Sequence, residues 1–443
     1  MNRSPSPLAE TSPLPTALAI ALAFAALTFG LTADGADWPT YMRDNARSGV
    51  TAEKLRPPLA ARWVFTPSHP PRPAWPDPVK EPIRVAYDLA YHVAVADGSV
   101  YFGSSAEDKV YCLDAATGAV RWAAFTGGPV RLAPTVWQGN VYVGSDDGHV
   151  YCLSGTDGRV LWKFRGAPND RQAMGNGRMM SVWPVRTGVL VANGVAHFAA
   201  GLFPTEGVFV YALDARTGKE LWRNDTSGQI YRKMPHPGAE GFSGVSPQGA
   251  LLASSSVLYV PTGRNVPAAF ELQTGQLIQY RPDRTRVGGT YALVWDDKVF
   301  SGPAGLAAYD SRSGDIFAAF PSRQLLLTAD MAYLLTDTQI TAVQRQNYTD
   351  LRAKHTALGE RRSAVASDHK RWTRTLQGLQ AKQKEPTPET EEAQKKVRAL
   401  DAQMKELAAE MDKLNQPMAA CLKWQCNAAG LCSMVLAGDV LLA

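Results

Sequence analysis

Between residues 93 and 343 apolar and polar positions alternate in short runs broken by Gly, Asp and Asn, the pattern of successive half-buried β-strands. Three stretches repeat one another: GSVYFGSSAEDKVYCLDAATGAVRW (98–122), GNVYVGSDDGHVYCLSGTDGRVLW (139–162) and GVAHFAAGLFPTEGVFVYALDARTGKELW (194–222). Each predicts two strands around a polar turn, a second turn ending in Gly, and a strand closing on Trp122, Trp162 or Trp222, which lie 40 and 60 residues apart. With the apolar run ahead of each, such as LAPTVW (132–137), a unit holds four strands. Four-stranded units of about 40 residues predict a β-propeller.

The second turn has a physical rationale. In ALDARTGKELW (212–222) Asp214 can accept backbone N–H bonds across the turn, and Gly218 can take the positive φ that closes it. Trp222 then returns a large flat side chain onto the neighbouring unit. The corresponding docking residues are Asp114, Gly118 and Trp122 in the first unit and Gly158 and Trp162 in the second. Weaker copies at 269–275 and 308–314 keep the turn but place Gln279 and Ala318 where Trp is expected. LAARWVF (59–65) reads as a lone outer strand pairing with the last blade, followed by an extended Pro-rich connector.

The alternation stops at QITAVQRQNYTDL (339–351). ITAV (340–343) aligns with VYAL (210–213), but Gln344 stands at the Asp position and no Thr-Gly follows. Instead Leu351, Leu358, Val365, Trp372 and Leu379 recur by sevens, with His355, Arg362, His369 and Leu376 as the companion row. After EPTPE (385–389), Ala393, Val397, Leu400, Met404, Leu407, Met411 and Leu414 alternate fours and threes, a heptad seam. Thr387 before Pro388 and Glu389 is a helix start. The two arms predict an antiparallel coiled-coil hairpin of roughly 40 Å. Ten Lys/Arg against three Asp/Glu in 345–384 face seven acids against five bases in 386–414, a modest aid to pairing.

Beyond it CLKW (421–424) puts Trp424 in the docking position, and VLAGDVLLA (435–443) matches VWQGNVYVG (136–144) up to its penultimate residue. The organisation expected is therefore a signal peptide (1–36), propeller blades (37–343), the hairpin insertion (344–417), and a resumption (418–443) that stops inside a seventh blade. The fold class is all-β, an incomplete propeller of four-stranded blades with an inserted α-helical hairpin; a six-bladed ring with a frayed tail is the alternative.

The repeat A-x-D-x-x-T-G-x-x-x-W is similar to the tryptophan-docking repeat of the quinoprotein dehydrogenase-like propellers, also called PQQ-binding-like β-propellers. The resemblance covers most of 38–341 and resumes after 418. In the dehydrogenases of that family a disulfide between adjacent cysteines lies over the quinone, a Trp lies under it, and carboxylates with an Asn hold calcium. This chain has no Cys-Cys pair, so PQQ with calcium is not expected as a cofactor. The chain also resembles the propeller of the outer-membrane protein assembly lipoproteins, without their lipidation cysteine.

Composition narrows the setting. Arg3 precedes the apolar run TALAIALAFAALTFGL (16–31) and small residues Ala33 and Ala36, the layout of a secretory signal; an uncleaved membrane anchor is the alternative. An exported protein, periplasmic or cell-envelope associated, follows. The net charge of +5 is mild, and no basic cluster interleaved with aromatics suggests nucleic acid. Of five cysteines, Cys112 and Cys152 read as buried packing residues, while a bridge among Cys421, Cys426 and Cys432 is open. No zincin, phosphate-loop or nucleophile-elbow motif is present, the seven histidines are scattered, and neither a catalytic nor a metal-ligating set is expected. Asp146-Asp147 reads as turn-forming.

One constellation points to a ligand. GNGRMMSVWPVRTG (175–188), GFSGVSPQGALLAS (241–254) and PTGRNVP (261–267) precede or follow innermost strands. Arg178, Trp183, Arg186, Gln248 and Arg264 are thereby expected at the channel mouth, as a cationic and aromatic site for an anionic or peptide ligand. The function expected is a non-catalytic scaffold whose hairpin or propeller faces bind protein partners. A PQQ-dependent dehydrogenase or its degenerate relative, and the sensory part of a longer enzyme, are the alternatives.

Overall fold

The computed structural model describes residues 36–75 and 87–443, apart from 176, 234–237, 264, 282–287, 290, 303–304, 383–384 and 386. The segment read as a signal peptide lies outside the described residues, except for Ala36.

Among the described residues the alternating pattern becomes six four-stranded antiparallel sheets and a seventh of three strands. Sheet one is Val93–Ala96, Ser99–Ser104, Lys109–Asp114 and Val120–Phe125; sheet two is Thr135–Trp137, Asn140–Gly144, His149–Ser154 and Val160–Arg165. Sheet three is Leu190–Ala192, Val195–Ala200, Phe209–Asp214 and Glu220–Asn224; sheet four is Leu252–Ala253, Val257–Val260, Ala268–Glu271 and Leu277–Gln279. Sheet five is Ala292–Trp295, Lys298–Ser301, Leu306–Asp310 and Ile316–Phe320; sheet six is Gln324–Leu327, Met331–Leu335, Gln339–Gln344 and Leu422–Asn427. Sheet seven joins Val50–Thr51, Val435–Ala437 and Val440–Leu442.

In the first six sheets, strands adjacent in sequence are adjacent in space. Antiparallel order then places the first-to-second and third-to-fourth connections at one end of each sheet, the turn end. The second-to-third connections and the crossings to the next sheet lie at the other, the mouth end.

The repeat's turn works as a contact between sheets. Asp114 Oδ1 accepts the amides of Ala116 (3.0 Å) and Thr117 (2.8 Å), and Asp214 Oδ1 those of Arg216 (3.1 Å) and Thr217 (2.8 Å). Gly158 closes its turn at φ 74°, and a Cβ built there would lie 2.6 Å from Trp122 Cε3. The indole thus lies flat on bare backbone, a surface only glycine leaves open. Trp122 Nε1 donates to Gly155 O at 2.9 Å, and Trp162 Nε1 to Ala215 O at 3.0 Å beside Gly218. Trp222 lies on Gly275 in the same way, and Gln279 takes that place on Gly314. Cys112 and Cys152, both buried, stand directly across the ladder from Trp122 and Trp162.

Two arrangements differ from expectation. Residues 59–65 form no strand; Trp63 anchors them, donating to Ala115 O at 3.0 Å and lying on Gly118 as a docking Trp does, and Phe65 packs on Phe102 and Tyr111. The strand that pairs with the last sheet is instead Val50–Thr51, parallel to Leu436 and Ala437. The second concerns the N-terminal stretch ahead of it, which carries no periodicity. Trp38 bridges to Val95 of sheet one, Pro39 O accepts Val136 N of sheet two (2.7 Å), and Asn45 Nδ2 donates to Val191 O of sheet three (2.8 Å). Asn45 O accepts Ala253 N of sheet four (2.8 Å), Ala46 O accepts Val294 N of sheet five (2.8 Å), and Gly49 O accepts Leu436 N of sheet seven (2.9 Å). Met42 packs with Leu326 of sheet six. One segment thus touches the first strand of every sheet near its turn end, in sequence order for all but sheet six, whose contact comes from Met42 ahead of Asn45.

The heptad stretch folds as α1 (Arg345–Lys382), α2 (Pro388–Asp412) and a short α3 (Asn415–Ala420). The arms are antiparallel: His369 Nε2 meets Asp401 Oδ1 at 3.1 Å, and Lys396 Nζ lies 4.2 Å from the Trp372 ring centre. Thr387 caps α2 by accepting Thr390 N. The root of α1 belongs to the β core, where Tyr348 and Leu351 pack with Phe300, Phe320 and Leu334. Arg352 Nε donates to Ala319 O (2.5 Å) and Thr356 Oγ1 accepts Ala319 N (2.9 Å), so α1 covers the outer edge of sheet five where no docking Trp is available. The hairpin occupies the third-to-fourth connection of sheet six, hence the turn end.

Candidate functional site at the mouth end

Loops from four sheets meet at the mouth end around a buried ion-pair chain. Arg131 and Arg186 occupy equivalent places ahead of the first strands of sheets two and three, each the last residue of a Pro-Val-Arg triplet (129–131 and 184–186). Asp146 lies in the second-to-third connection of sheet two, and Asp88 ahead of sheet one.

Arg186 forms a fork on Asp146, Nε to Oδ1 at 3.0 Å and Nη2 to Oδ2 at 3.0 Å. Arg131 bridges the two acids, Nε to Asp146 Oδ2 at 2.8 Å and Nη1 to Asp88 Oδ2 at 2.7 Å. Burial pushes the Asp146 carboxyl up, but the two guanidinium groups together pull it below its ordinary value. Burial likewise lowers Arg186, and Asp146 more than reverses it. Nearby, burial raises the pKa of the Tyr87 hydroxyl, which has no hydrogen-bond partner among the described residues.

The connector of 66–75 lies against this cluster. Ala74 N donates to Asp88 Oδ2 (2.8 Å), Trp75 Nε1 donates to Gln248 Oε1 (2.8 Å), and the Trp75 ring centre is 5.7 Å from the Arg186 guanidinium. Beside Trp75 opens a cavity of about 700 Å³ lined by Met174, Met180, Leu202, Phe203 and the paired Arg171 and Glu206. Its outer wall is a two-stranded hairpin, Gln172–Gly175 with Arg178–Ser181, on which Met174 and Met179 sit across from each other in the open.

Of the residues singled out from sequence, Arg186 and Gln248 are brought together through Trp75. Trp183 lies behind the cavity wall, its Nε1 donating to Glu206 O at 2.6 Å and its ring under Arg171 at 5.0 Å. Arg178 points elsewhere, pairing with Asp108 at 2.7 Å and tying the hairpin to sheet one. Arg264 lies outside the described residues. Asp146, read from sequence as turn-forming, is the centre of the ion-pair chain, and only Asp147 shapes the turn, accepting His149 N at 3.0 Å. Arg131, Asp88 and Trp75 were not singled out; the repeated Pro-Val-Arg triplet is a signal that would have found Arg131.

Two guanidinium groups and two carboxylates cancel, so the cavity floor is neutral and rigidly held. A divalent cation does not fit these acids as they stand. Both oxygens of Asp146 are bonded to guanidinium groups and Asp88 Oδ2 is held twice, while a quinone would find no adjacent cysteines. Among the described residues, no group of three or more His, Cys, Asp or Glu is placed to hold a metal.

Four-stranded antiparallel sheets docked by tryptophan on glycine define a propeller-like, mostly β protein. Comparison with known proteins agrees: the PQQ_2 family, described as Outer membrane protein assembly factor BamB, matches residues 71–208 and 182–385, and the chain belongs to it. Among curated relatives, the dehydrogenase subunit of the quinone alcohol dehydrogenase of Gluconobacter oxydans (strain 621H) is 30% identical over 220 residues, 45% of this chain and 24% of that protein. The match thus spans about a quarter of that relative's length. Among solved structures, BamB from Moraxella catarrhalis aligns at 15% identity with a TM-score of 0.40, covering 56% of this chain and 71% of that one. A europium-containing methanol dehydrogenase aligns at 13% identity with a TM-score of 0.49, covering 70% of each chain.

Proposed function

We propose that this is an exported, envelope-associated propeller whose sheets close into a ring and which serves as a non-catalytic scaffold for protein assembly. Its helical arms, paired as a coiled coil, are the partner-binding element. The observation that carries this reading is the root of α1: Tyr348, Leu351, Arg352 and Thr356 fix the helix to the β core, so the arms beyond project as a rigid rod. A rod that only filled a turn would need no such foundation. The family description, an outer-membrane assembly factor, and the signal-like N-terminus support the setting. Among the described residues no helix is long and apolar enough to cross a membrane.

The test is a chain in which 362–407 is replaced by a short Gly-Ser link, expressed in the source organism lacking the native gene. Folding unchanged with outer-membrane protein levels not restored is the expected result; full restoration removes the hairpin's role.

Similarity to the quinone alcohol dehydrogenase subunit favours a second reading, a quinone-dependent dehydrogenase or its relative. Adding PQQ and Ca²⁺ and following absorbance and alcohol-dependent dye reduction separates the two. A clear redox signal defeats the scaffold reading.

A further inference from the structure

The cavity beside Trp75 has one wall made of unpaired backbone. Its hairpin is a two-stranded sheet, Gln172–Gly175 against Arg178–Ser181. Val182 N donates to Arg171 O at 3.1 Å, so the opposed pairs 171/182, 173/180 and 175/178 hold the ladder. Alternation in an antiparallel ladder then turns the N–H and C=O groups of Gln172 and Met174 away from the partner strand. Ser181 N does the same on the other edge, where it donates to Asp146 O at 2.9 Å. The outward groups of Gln172 and Met174 have no hydrogen-bond partner among the described residues.

Such an edge is normally guarded by charge or proline, since a bare one pairs with any extended chain that meets it. The outer strands of sheets one, two and three carry Arg121, Lys163 and Glu220, and that of sheet five lies under α1. A second mouth hairpin, Tyr231–Lys233 with Glu240–Phe242, carries Arg232, Lys233 and Glu240. Gln172-Ala173-Met174-Gly175 has neither charge nor proline, and Met174 is 81% exposed. Nor is the strand loose, because Arg178 fixes the hairpin to Asp108, Ser105 O and Ala106 O of sheet one. A strand already held in place loses little freedom on pairing.

The same cavity is lined by Trp75, Met180, and Leu202 and Phe203 from the second-to-third connection of sheet three. Its arginines, Arg171 and Arg186, are each paired with a carboxylate, so the space favours an uncharged apolar group over an anion. The mouth also holds one extended chain already. In 69–75 three residues are proline, and the N–H groups of Arg72 and Ala74 go to Ser105 Oγ (2.9 Å) and Asp88 Oδ2 (2.8 Å). Arg72 O accepts Arg131 Nη1 at 2.8 Å. The connector is thus gripped by its main chain, with Trp75 against the cavity. A wall of unpaired amides and carbonyls matches a polypeptide rather than an acyl chain.

We propose that the mouth cavity is a binding site for a second extended polypeptide segment, which pairs with the main chain of Gln172 and Met174 and places one apolar side chain between Trp75 and Phe203. Main-chain bonds supply affinity, and Met180, Leu202 and Phe203 select the side chain. This goes beyond the scaffold reading and uses no part of the helical arms, which lie at the turn end.

The probes are blocked heptapeptides Lys-Thr-Thr-X-Thr-Thr-Lys with X as Leu, Phe or Asp, titrated calorimetrically into the 443-residue chain. The Leu and Phe peptides are expected to saturate one site at least tenfold more tightly than the Asp peptide. They should also slow amide exchange at Gln172 and Met174 at least tenfold. Met174→Pro deletes an outward N–H without touching the hairpin's own ladder, and should weaken binding at least tenfold with an unchanged urea midpoint. Phe203→Ala should weaken it at least fivefold, whereas Met179→Ala, on the far strand, should not. No saturable binding, equal binding of the Asp peptide, or indifference to both Met174→Pro and Phe203→Ala overturns the proposal. Binding of phosphatidylglycerol vesicles without binding of peptide overturns it in favour of a lipid site. Replacing 362–407 should leave peptide binding unchanged, so failure here and failure of the scaffold reading are told apart.

Discussion

At Trp122 one side chain serves two sheets: it pairs across the ladder with Cys112 and lies on the Gly158 turn of the next sheet. Trp122→Ala should therefore cost about 3–5 kcal/mol. Urea denaturation of the variant checks the loss. His197 offers a second test at this scale. It is buried against Trp222 (ring centres 5.6 Å), its Nδ1 has no hydrogen-bond partner among the described residues, and burial pushes its pKa down to about 4. A folded pKa below the unfolded value means that the unfolded chain binds the extra proton first. The contribution is fully present above about pH 6.5 and lost as the pH falls toward 4. His197→Phe should remove that part of the acid-induced decline, read as the urea midpoint at pH 7 and pH 4.5.

The helical arms show how far an element can be read from its period. Every residue placed in the second-arm seam, Ala393, Val397, Leu400, Met404, Leu407, Met411 and Leu414, is buried or half-buried, as are Thr390, Asp401, Ala408 and Glu410 outside it. Heptad spacing is a local property, so it survives without knowledge of the partner. What it did not contain was the root, because Tyr348, Arg352 and Thr356 acquire their roles only from Phe320 and Ala319 of sheet five. Leu407, 2% exposed, tests the arms separately from the propeller. Leu407→Asp should lower the helical circular dichroism while the cooperative melting of the β core persists. Thr387→Ala should cost the arms about 1 kcal/mol through loss of the cap.

For the whole molecule, the decisive contacts join residues far apart in sequence. Arg47, 3% exposed, donates to Leu251 O (2.8 Å), Thr40 Oγ1 (2.9 Å) and Tyr41 O (2.8 Å), locking the N-terminal segment among the first strands. Arg47→Met strands those acceptors and should cost at least about 3 kcal/mol, with exchange rising at first strands of several sheets together. Asp146→Asn should be comparably severe, about 3–5 kcal/mol, because it leaves two buried guanidinium groups short of an anion. As the Asp146 carboxyl is held below its ordinary value, its contribution stands above about pH 4 and is lost as the pH falls further, a loss the Asn variant should not show.

The sequence by itself determined the repeating strands, the Asp and Gly turns with their tryptophans, and the helical interruption at Gln344, because each is written in spacing between near neighbours. Only the tertiary structure decided that Arg186 is neutralised by Asp146, that Arg178 turns to Asp108, and that 38–51 reaches all seven first strands. Charge pairing across 40 to 70 residues, and a segment held by backbone carbonyls together with the isolated side chains of Met42, Asn45 and Arg47, leave no periodic trace along a chain.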